Sequence, residues 1–357
     1  MKLFNGIKIF DHSLYVKDYL RSKNLVGHND IINGCLRFWQ RGTSFSNIQT
    51  SKYTADRFVA AVDGAESDEI QITRDTSTPS NDFSYSLKAK VTTADTTLGA
   101  NDYAGIYQAI EGYNFRKYAG KYGTLSFWVK SSKTGTFCVG FRNKDYDRSY
   151  VVEYQINTTD TWEYKTITVL FNADGTWYYD NNVGMMIYFT LKAGSNLQMT
   201  PNVWYSGNAV GTSNQVNWMD DLNETFYLAG IKFELGQIAT PFIANDYGTE
   251  LARCQRYYEK SYNHDHYPGD DVNSGLYYCS ANSNGGVRET VIFHTGKRDN
   301  PTITTYSDAE TKDKITYSGG DVTPTINYEG EHNFGLYYGG ATAHCKVAFH
   351  WIADAEL

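Results

Sequence analysis

Period-two alternation of apolar and polar residues is the feature that most limits what this chain can become. Phe83, Tyr85, Leu87, Ala89 and Val91 alternate with Ser84, Ser86, Lys88 and Lys90. Leu125, Phe127 and Val129 alternate with Ser126, Trp128 and Lys130, and Ile167, Val169, Phe171 and then Ile187, Phe189, Leu191 keep the same spacing. Residues two apart on a strand share a face, so each stretch has one buried and one solvated side, the pattern of antiparallel sheets. Segments rich in Gly, Asn, Asp and Ser, such as 172–175 and 207–214, separate them at the intervals of a sandwich. Helical periods are almost absent before Asp246. Residues 31–245 therefore read as an all-β sandwich of jelly-roll type.

The texture changes at Asp246. Tyr247, Leu251, Cys254 and Tyr258 recur at spacings of four, three and four, which places them on one stripe of a short helix at 246–262. Asp246 is its expected N-cap, and Glu250 falls in the first turn, where the helix dipole favours an acid. The stripe fits a helix lying on a neighbouring sheet, and it also fits a trimer seam between copies of the chain. Two heptads are too short to hold an assembly alone. Beyond the helix, 263–357 reads as a second β-rich unit, with strands at 276–280, 290–294, 302–306, 325–328, 334–338 and 346–352 and a hairpin turn at Gly339–Gly340. Tyr and Thr stand there in place of Leu and Val, and such a thin core favours completion by neighbouring copies. Residues 1–30 are too few to form a core and must pack on the body, a sister chain or another protein.

Several functions are disfavoured at once. The formal charge is −8 with no basic run, which argues against nucleic acid as the main partner. No stretch approaches a spanning helix, so membrane insertion is not expected. Five widely spaced cysteines without a Cys-x-x-Cys indicate neither zinc nor a disulfide framework, and they suit a chain folded in a reducing cytoplasm. Thirty tyrosines are the positive signal, because Tyr offers a flat apolar face and a hydroxyl at little entropic cost. Sheets also favour Tyr for packing, and both causes stay open.

Nine segments then line up in order: Asn33 to Phe45 (NGCLRFWQRGTSF), Tyr53 to Phe58 (YTADRF), Leu125 to Lys130 (LSFWVK), Asn214 to Trp218 (NQVNW), Phe226 to Ile231 (FYLAGI), Glu234 to Gly236 (ELG), Ala239 to Phe242 (ATPF), Glu250 to Tyr258 (ELARCQRYY) and Phe349 to Leu357 (FHWIADAEL). Together they resemble bacteriophage tail fibre and receptor-binding proteins, closely over 31–262 and loosely beyond. The resemblance implies a jelly roll like a carbohydrate-binding module, then a helix and a distal β-rich head, in a homotrimer at the virion tail tip. It implies that 1–30 docks on a tail or baseplate adaptor protein and that the head meets a host-surface receptor. Arg253 stands where an apolar residue is commoner, which makes the seam more polar. The head is where such proteins diverge, so the receptor is not inherited by analogy. Trp39, Trp128, Phe58 and Phe242 are read as core, and Arg41, Asp56 and Arg57 as a buried structural ion network.

A sugar site needs an aromatic face and planar polar groups. Trp177, Tyr178 and Tyr179, flanked by Asp174, Asp180, Asn181 and Asn182, offer both, and so do Trp204 and Tyr205. Three adjacent aromatics cannot share one sheet face, so at least one is exposed to a ligand or to another chain. In the head, Tyr277, Tyr278, Tyr337 and Tyr338 form pairs of which one member each should face out. His264 and His266, two apart on a strand, would reach one ion, and a threefold axis would turn the pair into six ligands for a transition metal. Asp220, Asp221 and Glu224 are oxygen donors for calcium without the spacing of a known loop. No catalytic motif stands in the chain, so the expected function is multivalent, non-catalytic attachment to a glycan or other receptor. The alternatives are a polysaccharide depolymerase of the tailspike type and a purely structural tail or baseplate component.

Overall fold

A computed structural model describes residues 27–64, 69–172, 174–280, 286–340 and 345–357, together with two short strands, Leu3–Phe4 (β1) and Ile7–Lys8 (β2), that form a hairpin. Most of the segment expected to dock on a tail lies outside the described residues.

The sandwich has two antiparallel sheets. One runs, in spatial order, Trp204–Tyr205 (β14), Ser149–Ile156 (β11), Gly135–Arg142 (β10), Val183–Ala193 (β13), Tyr103–Glu111 (β8), Phe58–Asp63 (β5) and Lys52–Tyr53 (β4). The other runs Glu163–Leu170 (β12), Tyr122–Ser131 (β9), Thr225–Leu235 (β15), Ser86–Thr93 (β7), Glu69–Asp75 (β6) and Ser44–Ile48 (β3). Alternation did what sheet geometry requires: Leu87, Ala89, Val91, Leu125, Phe127, Val129, Ile187, Phe189 and Leu191 all point into one continuous core. Each of these larger side chains, fully buried, contributes about 1.5–3 kcal/mol relative to exposure. Parity also corrects one expectation. Because Leu125, Phe127 and Val129 face inward, Trp128 lies on the outer face, half-buried beside Tyr164 at 5.2 Å. Phe242 is half-buried against Phe83, whereas Trp39 and Phe58 are core.

The helix is shorter than the stripe suggested. It spans Tyr247–Gln255, and Tyr258–Lys260 (β16) is already a strand. The Asp246 side chain makes no capping bond, although its carbonyl accepts from the Glu250 amide at 3.0 Å. Glu250 is instead drawn inside, where it accepts from the Asn33 amide, from Asn245 at 2.6 Å and from Arg253 at 2.9 Å. Cys254 and Tyr257 close over Ile32 and Phe38, so the helix lies on its own sandwich.

The head is organised by Lys346–Asp354 (β24). One edge of it pairs with β16 and Tyr277–Ser280 (β17), the other with Thr302–Tyr306 (β19) and Ile315–Tyr317 (β20), which continues into Gly320–Val322 (β21). Val287–Ile292 (β18), Asn333–Tyr338 (β23) and Thr325–Asn327 (β22) form a second small sheet. The core between them is real, with Val287, Phe334, Leu336, Phe349 and Trp351 buried.

Head and sandwich are locked together by charge. Arg41 reaches Asp354 and Glu356 at 3.2 Å each, and Arg57 pairs with Glu356. Each guanidinium lies 3.6 Å from a ring centroid, Arg41 over Tyr258 and Arg57 over Tyr257. Asp56 accepts from the Gln40 amide at 2.8 Å and from its side chain at 2.6 Å, while Glu111 takes Arg256 at 2.6 Å and the Tyr257 hydroxyl at 2.6 Å. Arg298 completes the join by donating to the carbonyls of Asn181, Ala355 and Glu356.

Candidate functional site

Three pieces of backbone meet at one end of the seven-stranded sheet: the turn from Asn143 to Arg148 between β10 and β11, the connection from β12 to β13, and β14. Asn143, fully buried, holds them. Its amide donates to the Arg148 carbonyl at 3.1 Å, and its side-chain oxygen accepts from the Arg148 amide at 3.1 Å. Its side-chain nitrogen donates to the Thr176 carbonyl at 3.0 Å and to Asp147. Gly175 is required at the crossing, since it sits at φ +93° and a Cβ there would stand 2.9 Å from Cβ of Arg148.

The aromatic residues expected here divide by direction. Trp177 and Tyr179 turn inward and pack on Phe115, with ring centroids 4.9 and 6.5 Å away. Trp204 also turns inward, against Phe171 and Tyr150, and meets Trp177 edge-on at 5.8 Å. The indole nitrogens donate to backbone carbonyls, Trp177 to Asp174 and Trp204 to Leu170. These half-buried rings form the wall that fixes the loops. Tyr205 takes the opposite direction from Trp204 and faces solvent, as alternation along β14 requires, whereas Tyr178 is half-buried like its two neighbours. The Tyr178 hydroxyl donates to Asp145 at 2.9 Å, and that bond raises the Tyr178 pKa. Arg148 reaches Ser206 at 3.2 Å and Asp174 at 3.4 Å, and Lys144 bonds Asn182 at 2.8 Å.

The face extends onto the outer side of the sheet through residues that sequence reasoning missed. The Arg142 guanidinium carbon lies 4.3 Å from the ring centroids of both Tyr146 and Tyr188. Tyr188 stacks in turn on Tyr107 at 4.6 Å. Burial pushes Tyr107 up to about 12. Tyr146 sits at the tip of the turn at φ +58° and is 45 % exposed, as is Tyr205. The signal for Tyr107 and Tyr188 was parity with Ile106 and Ile187, whereas nothing local marks Arg142 as their partner. The result is a strip on which Tyr146 and Tyr205 are exposed, Tyr107 and Tyr178 half-buried and Tyr188 buried, with planar polar groups between them.

The remaining candidates fall elsewhere. Tyr278 is 61 % exposed and its neighbour Tyr277 packs on Phe349, so that pair splits as expected. Tyr337 and Tyr338 are both half-buried, the first under Arg288 and the second against Tyr317. In the helix stripe, Tyr247 is exposed and Leu251 half-buried, but Cys254 and Tyr258 are buried inside the chain itself. Those two have no surface left to offer a seam. His264 and His266 stand in a turn, not on a strand, so period-two geometry does not bring them to one side. His264 lies edge-on to Tyr247 at 5.9 Å, and His266 faces Asp270 at 3.8 Å. Among the described residues no group of three or more His, Cys, Asp or Glu is placed to hold a metal ion. Asp220 pairs with Lys133, and Glu224 accepts from Ser132.

Fold and site thus define an all-β sandwich with a loop-borne aromatic and polar face, joined by a short helix to a β-rich head. No family model matches the chain, and no curated protein is similar to it. Among solved structures, the enzymatically active domain of Bacteriophage CBA120 tailspike protein 4 is similar over 58 % of this chain and 21 % of that one, at 13 % identity and TM-score 0.32. A family 11 carbohydrate-binding module from Clostridium thermocellum, in complex with a beta-1,3-1,4-mixed-linked tetrasaccharide, is similar over 56 % and 98 %, at 11 % identity and TM-score 0.29. The CBM22-1 xylan-binding domain from Paenibacillus barcinonensis Xyn10C covers 60 % and 98 %, at 12 % and 0.26. At these TM-scores the likeness carries no argument, and the sandwich stands on its own hydrogen bonds.

Proposed function

We propose that this chain is a phage tail fibre or receptor-binding protein that attaches a virion to a host-surface glycan by multivalent, non-catalytic binding. The observation that carries the proposal is the exposed Tyr205 and Tyr146 with the half-buried Tyr178, beside Arg148, Asp145 and Asn182, held by loops that a half-buried aromatic wall fixes in place. The phenol faces suit the C–H side of a sugar ring, and the planar polar groups suit its hydroxyls. Each contact of that kind is weak, and several copies on one particle make attachment firm through effective concentration. The chain would act as a homotrimer at the tail tip, with its N-terminal segment on an adaptor protein.

Competition tests this directly. Soluble chain should block adsorption of whole phage to its host, and the Tyr178→Ala/Tyr205→Ala double variant should compete about tenfold less well at unchanged Tm. Adsorption untouched by saturating wild-type chain refutes the proposal. Release of reducing ends from host polysaccharide would replace it with an enzyme.

A further inference from the structure

A cavity of about 540 Å³ lies where the head meets the sandwich, on the face of β24 turned away from the head core. Its size is within the range of small-molecule sites. Strand register fixes which side chains it receives. Asp354 pairs with Tyr258 on one side and Thr302 on the other, Ile352 pairs with Thr304, and His350 pairs with Tyr306. Paired residues share a face and so do residues two apart, so these side chains all leave the sheet on one side. Residues of the opposite parity, Ile303, Trp351 and Ala353, pack in the head core. A bridge between Tyr306 and Lys312 sets Lys312 on the cavity side as well. Lys260 shares this face but donates to the His266 carbonyl, which holds the loop carrying Pro268 as a wall. Arg41, 3.6 Å over the Tyr258 ring, closes the cavity from the sandwich.

The lining has hydrogen-bonding capacity that the fold does not use. The hydroxyls of Thr302, Thr304 and Tyr306 have no hydrogen-bond partner among the described residues, and none of them is shut away from solvent. Burial raises the Tyr306 pKa, so its phenol stays a donor near neutral pH. Asp354, 40 % exposed at its side chain, takes Arg41 on one oxygen and the Glu356 amide at 3.1 Å on the other. Each carboxylate oxygen has a second lone pair left to accept with. The charges on the lining cancel, with Arg41 and Lys312 against Asp354 and Glu356. Such a surface suits a ligand with several adjacent hydroxyls and no net charge, because a second carboxylate beside Asp354 would be repelled.

We infer that this cavity binds a neutral saccharide residue, with its hydroxyls on Thr302, Thr304, Tyr306 and Asp354 and its C–H surface on Tyr306 and Pro268. It is a second sugar contact, built by the head and not by the sandwich loops, and it stands or falls separately from the face around Tyr205.

The test is titration of the full chain with glucose, galactose, mannose and glucuronate, followed by ligand-observed NMR. One of the three neutral hexoses should bind with a dissociation constant of about 1 mM, the level a ligand of that size reaches. Glucuronate should bind no more tightly than glucose. Thr302→Val/Thr304→Val removes two hydroxyls, keeps the side-chain shape and suits a strand, and should weaken the hexose about tenfold at unchanged Tm. Tyr306→Phe keeps the ring and should weaken it about fivefold, which carries the test if the threonine variant melts early. Tyr178→Ala/Tyr205→Ala must bind the hexose as wild type does. The inference is overturned if none of the three hexoses binds, if glucuronate binds more tightly than glucose, or if the hexose is lost with Tyr178 and Tyr205 and kept in the head variants.

Discussion

Replacing Lys260 by methionine should stabilise this protein, and the gain should depend on pH in a way fixed by its burial. The Lys260 pKa falls from 10.5 to about 8 on folding. At about 1.4 kcal/mol per unit, the shift corresponds to about 3 kcal/mol. The sign follows from which state holds the proton. Below about 8 both states are charged and the folded state carries the full penalty. Between about 8 and 10.5 only the unfolded state remains protonated, so wild-type stability rises with pH, and above 10.5 the penalty is gone. Methionine keeps a similar length and no charge, and it forfeits the bond to the His266 carbonyl, worth about 1 kcal/mol. Lys260→Met should therefore be more stable than wild type by about 2 kcal/mol near neutral pH. That margin should shrink by about 3 kcal/mol as pH rises to the unperturbed lysine pKa. Urea unfolding of both proteins across this range is the assay, because tyrosines and other lysines titrate in both and cancel in the difference. A difference that stays flat with pH refutes the reasoning.

Two further outcomes follow from the packing. Glu356→Gln leaves Arg57, 1 % exposed at its side chain, without a counter-charge and should cost about 3 kcal/mol in urea unfolding; a loss below about 1 kcal/mol would show that water already reaches the clamp. Gly230→Ala forces a side chain into a left-handed position at φ +56°, where its Cβ would stand 2.6 Å from the Phe83 ring, and should lower stability by roughly 2 kcal/mol in a thermal melt. An unchanged Tm would show that the bulge in β15 can relax.

What was legible in the sequence tracks how local its physics is. The inward positions of β7, β9 and β13 could be read because a strand repeats every two residues and its buried face must be apolar. In the head, 302–306 and 346–352 were placed within two residues, but β18 begins at Val287 and not at Thr290. The β20–β21 hairpin went unseen, although Ser318 and Gly319 at φ +51° and +82° form the kind of two-residue turn that joins such strands. The helix was overlong because Tyr258 continues a helical stripe by spacing alone, while β24, almost a hundred residues on, claims it for a strand. That competing partner is invisible locally. The same holds for the site. Tyr178 and Tyr205 were found through neighbouring aromatics that cannot share a face, whereas Arg142 between Tyr146 and Tyr188 depends on three separate elements converging. Lys260 looks in sequence like any lysine, and only its enclosure sets it apart.

The head leaves the sandwich at Tyr258–Lys260 and returns at Ile352–Asp354, and these two segments lie side by side as antiparallel partners. The segment between them is held at this root, which Arg41, Arg57 and Arg256 pin to the sandwich, and by Arg298, which reaches the sandwich at Asn181. A segment with both ends adjacent can be exchanged as a cassette: a different head spliced between the same two strands would meet an unchanged shoulder. Diversification can then proceed by wholesale replacement at the root, while the sandwich core, the clamp arginines and the loops bearing Tyr178 and Tyr205 stay in register.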